Sequence, residues 1–323
     1  MITHGIPQGS TLSTTFFLLY INDITSTVTS PVYTYADDTT LVVTAADPQT
    51  LQTLAQTQLT DLVDYFHRNN LVPNPTKTNY SVFSADKTIT LKIQTTTLQQ
   101  NTSAPLLGIT LQDNLKHHQT INKIIRKLQP TIHSFKYANK LLPTATMLEL
   151  YYSQVYPHLI GNISIWGSTN PQSTYLQPLI RTQKKIIRLI ANKPPRTHTA
   201  PIMQKHRLHS LTSLYILRVC AEIRPFIHPA QQQPNRPTHH HQYLRTSYIH
   251  DYPTRHSSTH QQFIPNPRSH RFSSTKTPLL TMAHLNSSYA KVWNALPEAL
   301  KEEKFEETFK TKLKQHLLRA QRL

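Results

Sequence analysis

Apolar residues recur along this chain in different rhythms, and each rhythm predicts a different kind of element. Near the start, Phe16-Phe17-Leu18-Leu19-Tyr20-Ile21 is an unbroken apolar run. It predicts a buried helix, with Ser10 or Ser13 as its cap. Two short runs rich in β-branched and aromatic residues follow, Pro31-Val32-Tyr33-Thr34 and Thr39-Thr40-Leu41-Val42-Val43, with Tyr35-Ala36-Asp37-Asp38 between them. That arrangement predicts a hairpin with both carboxylates at its tip. Asp47-Pro48 then reads as a helix cap followed by proline at the first helical position. Leu51, Leu54, Ala55, Leu59, Leu62, Val63 and Phe66 continue at helical spacing until Asn69-Asn70 stops them. This amphipathic helix is expected to pack on the sheet that carries the hairpin. Further strands are predicted at Asn79–Phe83, Thr88–Ile93 and Leu106–Leu111.

From Lys116 the period becomes helical. Ile121, Ile124, Ile125, Leu128, Ile132 and Phe135 form one stripe, and Thr144 is placed to cap a second helix through Met147, Leu148, Tyr151 and Val155. A third helix, about Tyr175–Ala191, buries Leu176, Leu179, Ile180, Ile186, Ile187 and Ile190. Residues 229–275 are dominated by Pro, His, Gln, Ser and Thr, a composition with too little apolar surface to offset the entropy of ordering. Beyond them, Tyr289, Trp293 and Leu296 lead to a last helix with Phe305, Phe309, Leu313 and Leu317 every four residues, acidic at its start and basic at its end. The pattern predicts an α+β chain in four parts: a mixed region over residues 1–113, a helical region over 114–228, a linker or loop over 229–275, and a helical tail over 276–323.

Charge changes this picture from a fold to a partner. The 323 residues carry 34 Lys+Arg against 16 Asp+Glu, a net charge of +18. Residues 1–80 contain only Arg68 and Lys77 against six aspartates, which leaves 32 cationic against 10 acidic side chains in the remainder. An acidic end joined to a basic remainder suits a protein that holds cations at one place and phosphate backbone elsewhere; a basic composition that merely aids solubility is the alternative. The single Cys220 excludes an internal disulfide and a cysteine-rich zinc knuckle, and its apolar neighbours mark it as a buried structural thiol. No apolar run reaches membrane-spanning length, so no membrane partner is expected and the chain reads as intracellular.

Adjacent carboxylates repel, so a turn that keeps both Asp37 and Asp38 invites an explanation. Hard divalent cations prefer oxygen ligands and share them with phosphates, and two such ions can activate a hydroxyl and stabilise a leaving group in phosphoryl transfer. A solvated turn is the competing reading, since Asp is common in turns. Ahead of the hairpin, Gly5-Ile6-Pro7-Gln8-Gly9-Ser10 makes a loop whose backbone can approach a ligand closely. The loop, the apolar helix and the two-Asp hairpin together resemble the palm of reverse transcriptases, most closely those of non-LTR (LINE-type, jockey-like) retrotransposons. Asn74-Pro75-Thr76-Lys77-Thr78 resembles the family's next motif, and Leu107-Gly108-Ile109-Thr110-Leu111 the start of its primer grip.

The resemblance implies a partial palm, a small antiparallel sheet with packed helices, followed by a mostly α-helical thumb. It implies Asp37 and Asp38 as catalytic ligands of Mg²⁺ (or Mn²⁺). Gly5, Pro7, Gln8, Gly9, Ser10, Tyr35, Ala36 and Lys77 would lie around template and nucleotide, with Lys77 ordering the triphosphate or protonating pyrophosphate; a solvated loop lysine is the alternative there. RNA template, DNA primer and deoxynucleoside triphosphates are the implied partners, and a nuclear location is usual for the family. The chain departs from the pattern in two places. Thr14 stands where proline is usual, and the third aspartate that such polymerases take from a strand ahead of the Gly-Pro-Gln loop has no counterpart after Met1. The expectation is therefore a fragment beginning inside the palm and inactive alone, with a non-catalytic nucleic-acid-binding relic or accessory protein as the alternative.

In the helical region, Lys123, Arg126 and Lys127 lie off the apolar stripe. Arg181, Lys184, Lys185 and Arg188 fall at i, i+3, i+4 and i+7. Like charges at that spacing weaken an isolated helix, and a polyanion would relieve them. Backbone phosphate is the expected partner, against a merely solvated face. Clustered histidines at His239-His240-His241 lack cysteine partners and helical spacing, which argues against a metal site.

Overall fold

The computed structural model describes residues 10–83, 89–168, 172–227, 289, 291–303 and 305–321. The predicted linker 229–275 and the loop residues Gly5, Pro7, Gln8 and Gly9 lie outside them. The chain divides into two units, Met1–Ala104 and Pro105–Leu323.

In the first unit, α1 (Ser13–Tyr20) leads into a 3₁₀ turn at Asn22–Ser26, and the strands β1 (Val32–Tyr35) and β2 (Asp38–Leu41) form the predicted hairpin. The helix α2 (Pro48–Arg68) begins as the sequence implies: Asp47 Oδ1 accepts the Thr50 N–H at 2.8 Å, and Pro48 occupies the first turn. That hydrogen bond holds the Asp47 carboxyl below its ordinary range. Four short strands follow, β3 (Asn79–Tyr80), β4 (Lys92–Ile93), β5 (Thr96–Thr97) and β6 (Gln99–Gln100). One face of α2 closes a small core of Ile24, Val28, Leu62 and Tyr65, and a second core joins Ala55 and Val63 to Leu91, Ile93 and Leu98.

Two expectations are corrected here. The apolar run does form a helix, but α1 buries none of its residues, and Phe16, Leu18, Leu19 and Tyr20 are exposed. Its capping position is Leu12, with no side-chain cap. Burial passes to Ile21 and Ile24 in the next turn, and Ile24 joins Leu62 and Tyr65 of α2 in one core. Nor do the strands make one antiparallel sheet among the described residues. They form separate two-stranded ladders, β1–β2, β4–β5 and the parallel pair β3–β6.

The division between the units falls inside β7 (Ser103–Leu106), which pairs with β8 (Ile109–Gln112). The predicted strand Leu106–Leu111 is thus a hairpin turn. Leu107 and Gly108 both have positive φ, 44° and 86°, the geometry of a two-residue turn that reverses the chain. The helix α3 (His118–Leu141) follows, buried along Ile121, Ile124, Leu128, Ile132 and Phe135 as its spacing requires. The helix α4 (Thr144–Leu150) starts from Pro143 rather than from a Thr144 cap. A π-helical turn at Tyr151–Val155 joins α4 to α5 (Tyr156–Ile160). Pro157 explains that turn, because it has no N–H to give the preceding α-helical turn and its ring needs room.

Next come α6 (Ile163–Trp166), α7 (Leu176–Ile190), α8 (Thr199–Lys205) and α9 (Leu211–Ile227). Residues 291–294 are helical, and α10 (Glu298–Lys301) and α11 (Glu306–Ala320) close the chain. A single cluster runs from Ile121 through Trp166, Ile186 and Cys220 to Trp293, Phe309 and Leu317. The tail therefore completes the core of the helical unit. Arg224 on α9 is 2% exposed, donates to the Glu303 carbonyl at 2.8 Å and sits 4.6 Å over the Phe309 ring. Cys220 is fully buried, and burial pushes its thiol up to about 12, as expected of an inert structural cysteine. Phe305, expected on the buried stripe of the last helix, is 71% exposed, because it precedes the first helical turn. Among the described residues, no helix is long and apolar enough to cross a membrane.

Candidate functional site

The two aspartates are held by a hairpin whose other end is fixed. Val32 pairs with Leu41, and both pack against the core formed by Ile24, Val28, Leu62 and Tyr65. Tyr33 pairs with Thr40, Thr34 with Thr39, and Tyr35 with Asp38. Ala36 and Asp37 are therefore the two turn residues, and Ala36 has a left-handed φ of 52°. An L-residue there costs on the order of 1 kcal/mol, and glycine is the usual occupant. Side chains alternate along a strand, so Tyr33 and Tyr35 share one face with their partner-strand neighbours Thr40 and Asp38, opposite the face of Val32 and Leu41. Tyr33 and Tyr35 are correspondingly exposed.

Asp37 sits in the turn and Asp38 begins β2, both exposed, and neither side chain has a hydrogen-bond or ion-pair partner among the described residues. Hard oxygen donors free of competing cations are what Mg²⁺ requires, so the pair fits such an ion. Among the described residues, no group of three or more His, Cys, Asp or Glu side chains is placed to hold a metal.

The residues that fix the hairpin were not singled out in the sequence. Gln58 is buried on α2; its amide nitrogen donates to Thr29 Oγ1 at 2.7 Å, and its oxygen accepts the Ser30 N–H at 3.1 Å. The Tyr65 hydroxyl donates to Asp23 Oδ1 at 2.5 Å, and burial raises Tyr65 to about 12, with Asp23 adding to the shift. Ala55, Gln58, Leu62 and Tyr65 lie three and four apart, so helical spacing was the available signal for both polar residues. Replacing Gln58 with Ala strands the Ser30 N–H, a loss expected to cost about 1–3 kcal/mol. Denaturant unfolding of the first unit should register it, with amide shifts along residues 32–41; an unmoved midpoint would show that the hairpin is anchored elsewhere.

Of the other expected site residues, Tyr35 and Ala36 share the hairpin with the aspartates. Ser10 is exposed and accepts the Leu12 N–H at 3.4 Å. Lys77 is exposed on a separate turn, ordered by Asn74, whose Oδ1 accepts the Thr76 N–H at 3.0 Å. No hydrogen bond or ion pair joins Lys77 to the hairpin.

In the helical unit, α3 and α7 pack along each other. Together they carry nine Lys and Arg residues and no acid. Arg126, Lys127, Arg181, Lys184 and Lys185 are exposed, and no ion-pair partner meets them among the described residues. Lys123 is different, since its Nζ donates to Thr110 Oγ1 at 2.8 Å. Arg188 is half-buried, with Nε donating to the Thr197 carbonyl at 2.7 Å, so one member of the expected stripe is spent on closing the helix terminus. The buried face of α7 also includes Thr182 and Gln183, and the Gln183 amide bonds the backbone of His209 and Leu211. Ile180 is only half-buried.

Comparison with known families gives a match over the first unit. Residues 1–111 match the reverse transcriptase (RNA-dependent DNA polymerase) family. Neither curated proteins nor solved structures give a significant match. The reverse transcriptase match takes in the Asp37–Asp38 hairpin, the Lys77 turn and β7. Reverse transcriptases act on a nucleic-acid template with deoxynucleoside triphosphates and divalent ions. The helical unit lies almost wholly beyond the matched residues.

Proposed function

We propose that this chain is part of the RNA-directed DNA polymerase of a non-LTR retrotransposon, with Asp37 and Asp38 as its metal-binding carboxylates. The observation that carries this reading is the pair of unpartnered carboxylates at the end of an anchored hairpin, inside a reverse transcriptase match. Backbone strain retained at Ala36 supports it, since strained residues cluster where a site must be held in one geometry. When bound, Mg²⁺ or Mn²⁺ would supply charge neutralisation for attack of a primer 3′-hydroxyl on the α-phosphate of a nucleotide. The protein's own contribution is to hold both acids on a rigid turn, beside two exposed tyrosines. Ser10 and Lys77, with Gly5, Pro7, Gln8 and Gly9, are assigned to the surroundings of template and nucleotide. In the helical unit, Arg126, Lys127, Arg181, Lys184 and Lys185 are assigned to the phosphate backbone of template and primer, while Lys123 and Arg188 are held by Thr110 and Thr197.

A second reading, nucleic-acid binding without catalysis, is favoured by one specific observation. Two carboxylates are fewer than a two-metal transfer divides between its ions, and the described residues offer no third ligand beside them. The 323 residues are therefore expected to bind nucleic acid and a divalent ion without extending a primer. Titrating Mn²⁺ should broaden the amide resonances of residues 33–41, and Asp37→Asn with Asp38→Asn should remove the effect. Broadening that ignores both substitutions would take the metal away from this hairpin. Primer extension on an RNA template, abolished by Asp37→Ala, would overturn the expectation of inactivity.

A further inference from the structure

Among the described residues, three helices end in the same backbone device, and one of them is built with an unsuitable residue. At the end of α2 the Leu71 N–H reaches the Phe66 carbonyl and the Asn70 N–H the His67 carbonyl; Asn70 has φ 52°. At the end of α7 the Lys193 N–H reaches Arg188 and the Asn192 N–H reaches Leu189, with Asn192 at φ 49°. At the end of α8 the Leu208 N–H reaches Met203 and the Arg207 N–H reaches Gln204, with Arg207 at φ 53°. These paired bonds satisfy the last carbonyls of a helix and require a left-handed residue, for which glycine and asparagine are preferred. Arginine gains nothing there from its backbone. Its side chain is what distinguishes α8 from the other two.

That side chain lines an open surface pocket of about 220 Å³ between α8 and α11, together with Gln204, Gln315, Leu318 and Arg319. Two of its lining residues are tied together across the helices, the Gln204 amide donating to the Leu318 carbonyl at 3.1 Å. No acid lines the pocket. Arg207 and Arg319 are exposed, and neither has an ion-pair partner among the described residues. The acids of α11 that do pair with lysines, Glu306 and Glu307, stand at the opposite end of that helix. Two exposed guanidinium groups line one small pocket that holds no acid, with a neutral amide beside them, a donor set that suits a phosphate group.

We propose that the cleft between α8 and α11 binds a phosphate group through Arg207 and Arg319, with Gln315 as a neutral donor, as an anion site separate from the basic residues of α3 and α7. The phosphate is either a diester of a nucleic-acid backbone or a free inorganic ion. The site stands on its own geometry and does not depend on polymerase activity.

The test uses the full chain and the double variant Arg207→Asn/Arg319→Gln, with two probes. Inorganic phosphate, compared with chloride at equal ionic strength, should raise the melting temperature of the wild type and not of the variant. A labelled RNA–DNA hybrid should bind the variant about tenfold more weakly, with the slope of log affinity against log salt reduced by up to about two. Loss with both probes, or with the hybrid alone, assigns the site to a backbone diester. Loss with phosphate alone assigns it to the free ion. Unchanged behaviour with both probes overturns the proposal. Arg207→Asn restores the residue type used at the ends of α2 and α7, so the variant should melt no lower than wild type without ligand. If it does melt lower, Arg319→Gln alone, at an exposed position of α11, carries the same test.

Discussion

Alanine at Arg181, Lys184 and Lys185 together is expected to weaken binding of an RNA–DNA hybrid by an order of magnitude or more at low salt. All three side chains are exposed on α7 and lack acidic partners among the described residues. Each phosphate contact releases condensed counterions, so removing three should reduce the salt slope by up to roughly three for a duplex. The loss should be uniform across sequences, because phosphate contacts position a duplex without reading it. Arg188 is kept in this variant, since its bond to the Thr197 carbonyl holds the chain after α7 and its removal would confound folding with binding. Lys310 and Lys312 serve as the comparison. They are paired with Glu306 and Glu303, and replacing them should change the slope far less. A salt slope identical to wild type in the triple variant would place the nucleic acid on some other surface.

Trp293→Ala is expected to cost the helical unit about 3–5 kcal/mol, the range for deleting a fully buried large aromatic. Domain stability is typically about 5–15 kcal/mol, so the loss is a large fraction of the whole. Trp293 is fully buried, 6.0 Å from the Phe309 ring, in the cluster that also holds Trp166, Ile186 and Leu214. Phe305→Ala, 12 positions later on an exposed side chain, should alter stability by less than about 0.5 kcal/mol. Thermal unfolding of the two variants separates the alternatives for the tail. Equal small effects would mean that residues after 288 are an appendage rather than part of the core.

The tail shows why some of this was illegible beforehand. Its helix was plain from the four-residue recurrence of Phe309, Leu313 and Leu317, and from acids at one end with bases at the other. Its partner was not plain, because a periodic stripe says that a face is buried and not what buries it. The contacts that decide the matter, Arg224 to Glu303, Gln204 to Leu318 and Tyr289 to Glu222, join residues 67 to 114 positions apart. Gln58 is a similar case. It sits at an apolar position of α2, yet only the approach of Thr29 and Ser30 makes a buried amide affordable there.

Local signals decided the elements whose energetics are local. Asp47-Pro48 started α2 and Asn69-Asn70 ended it, because capping bonds and left-handed residues act within one turn. Tyr35-Ala36-Asp37-Asp38 made a two-residue hairpin for the same reason, and its acids were legible as candidate metal ligands before any coordinates. Tertiary structure alone decided which apolar residues are buried, as in α1, where the five consecutive apolar residues Phe16–Tyr20 gave a helix with no buried side chain. It also decided which basic residues are free: Arg188 and Lys123 have the same charge as Lys184, yet each is held by a nearby oxygen that only folding brings within reach. Charge is written in the sequence, but its availability depends on the atoms that surround it.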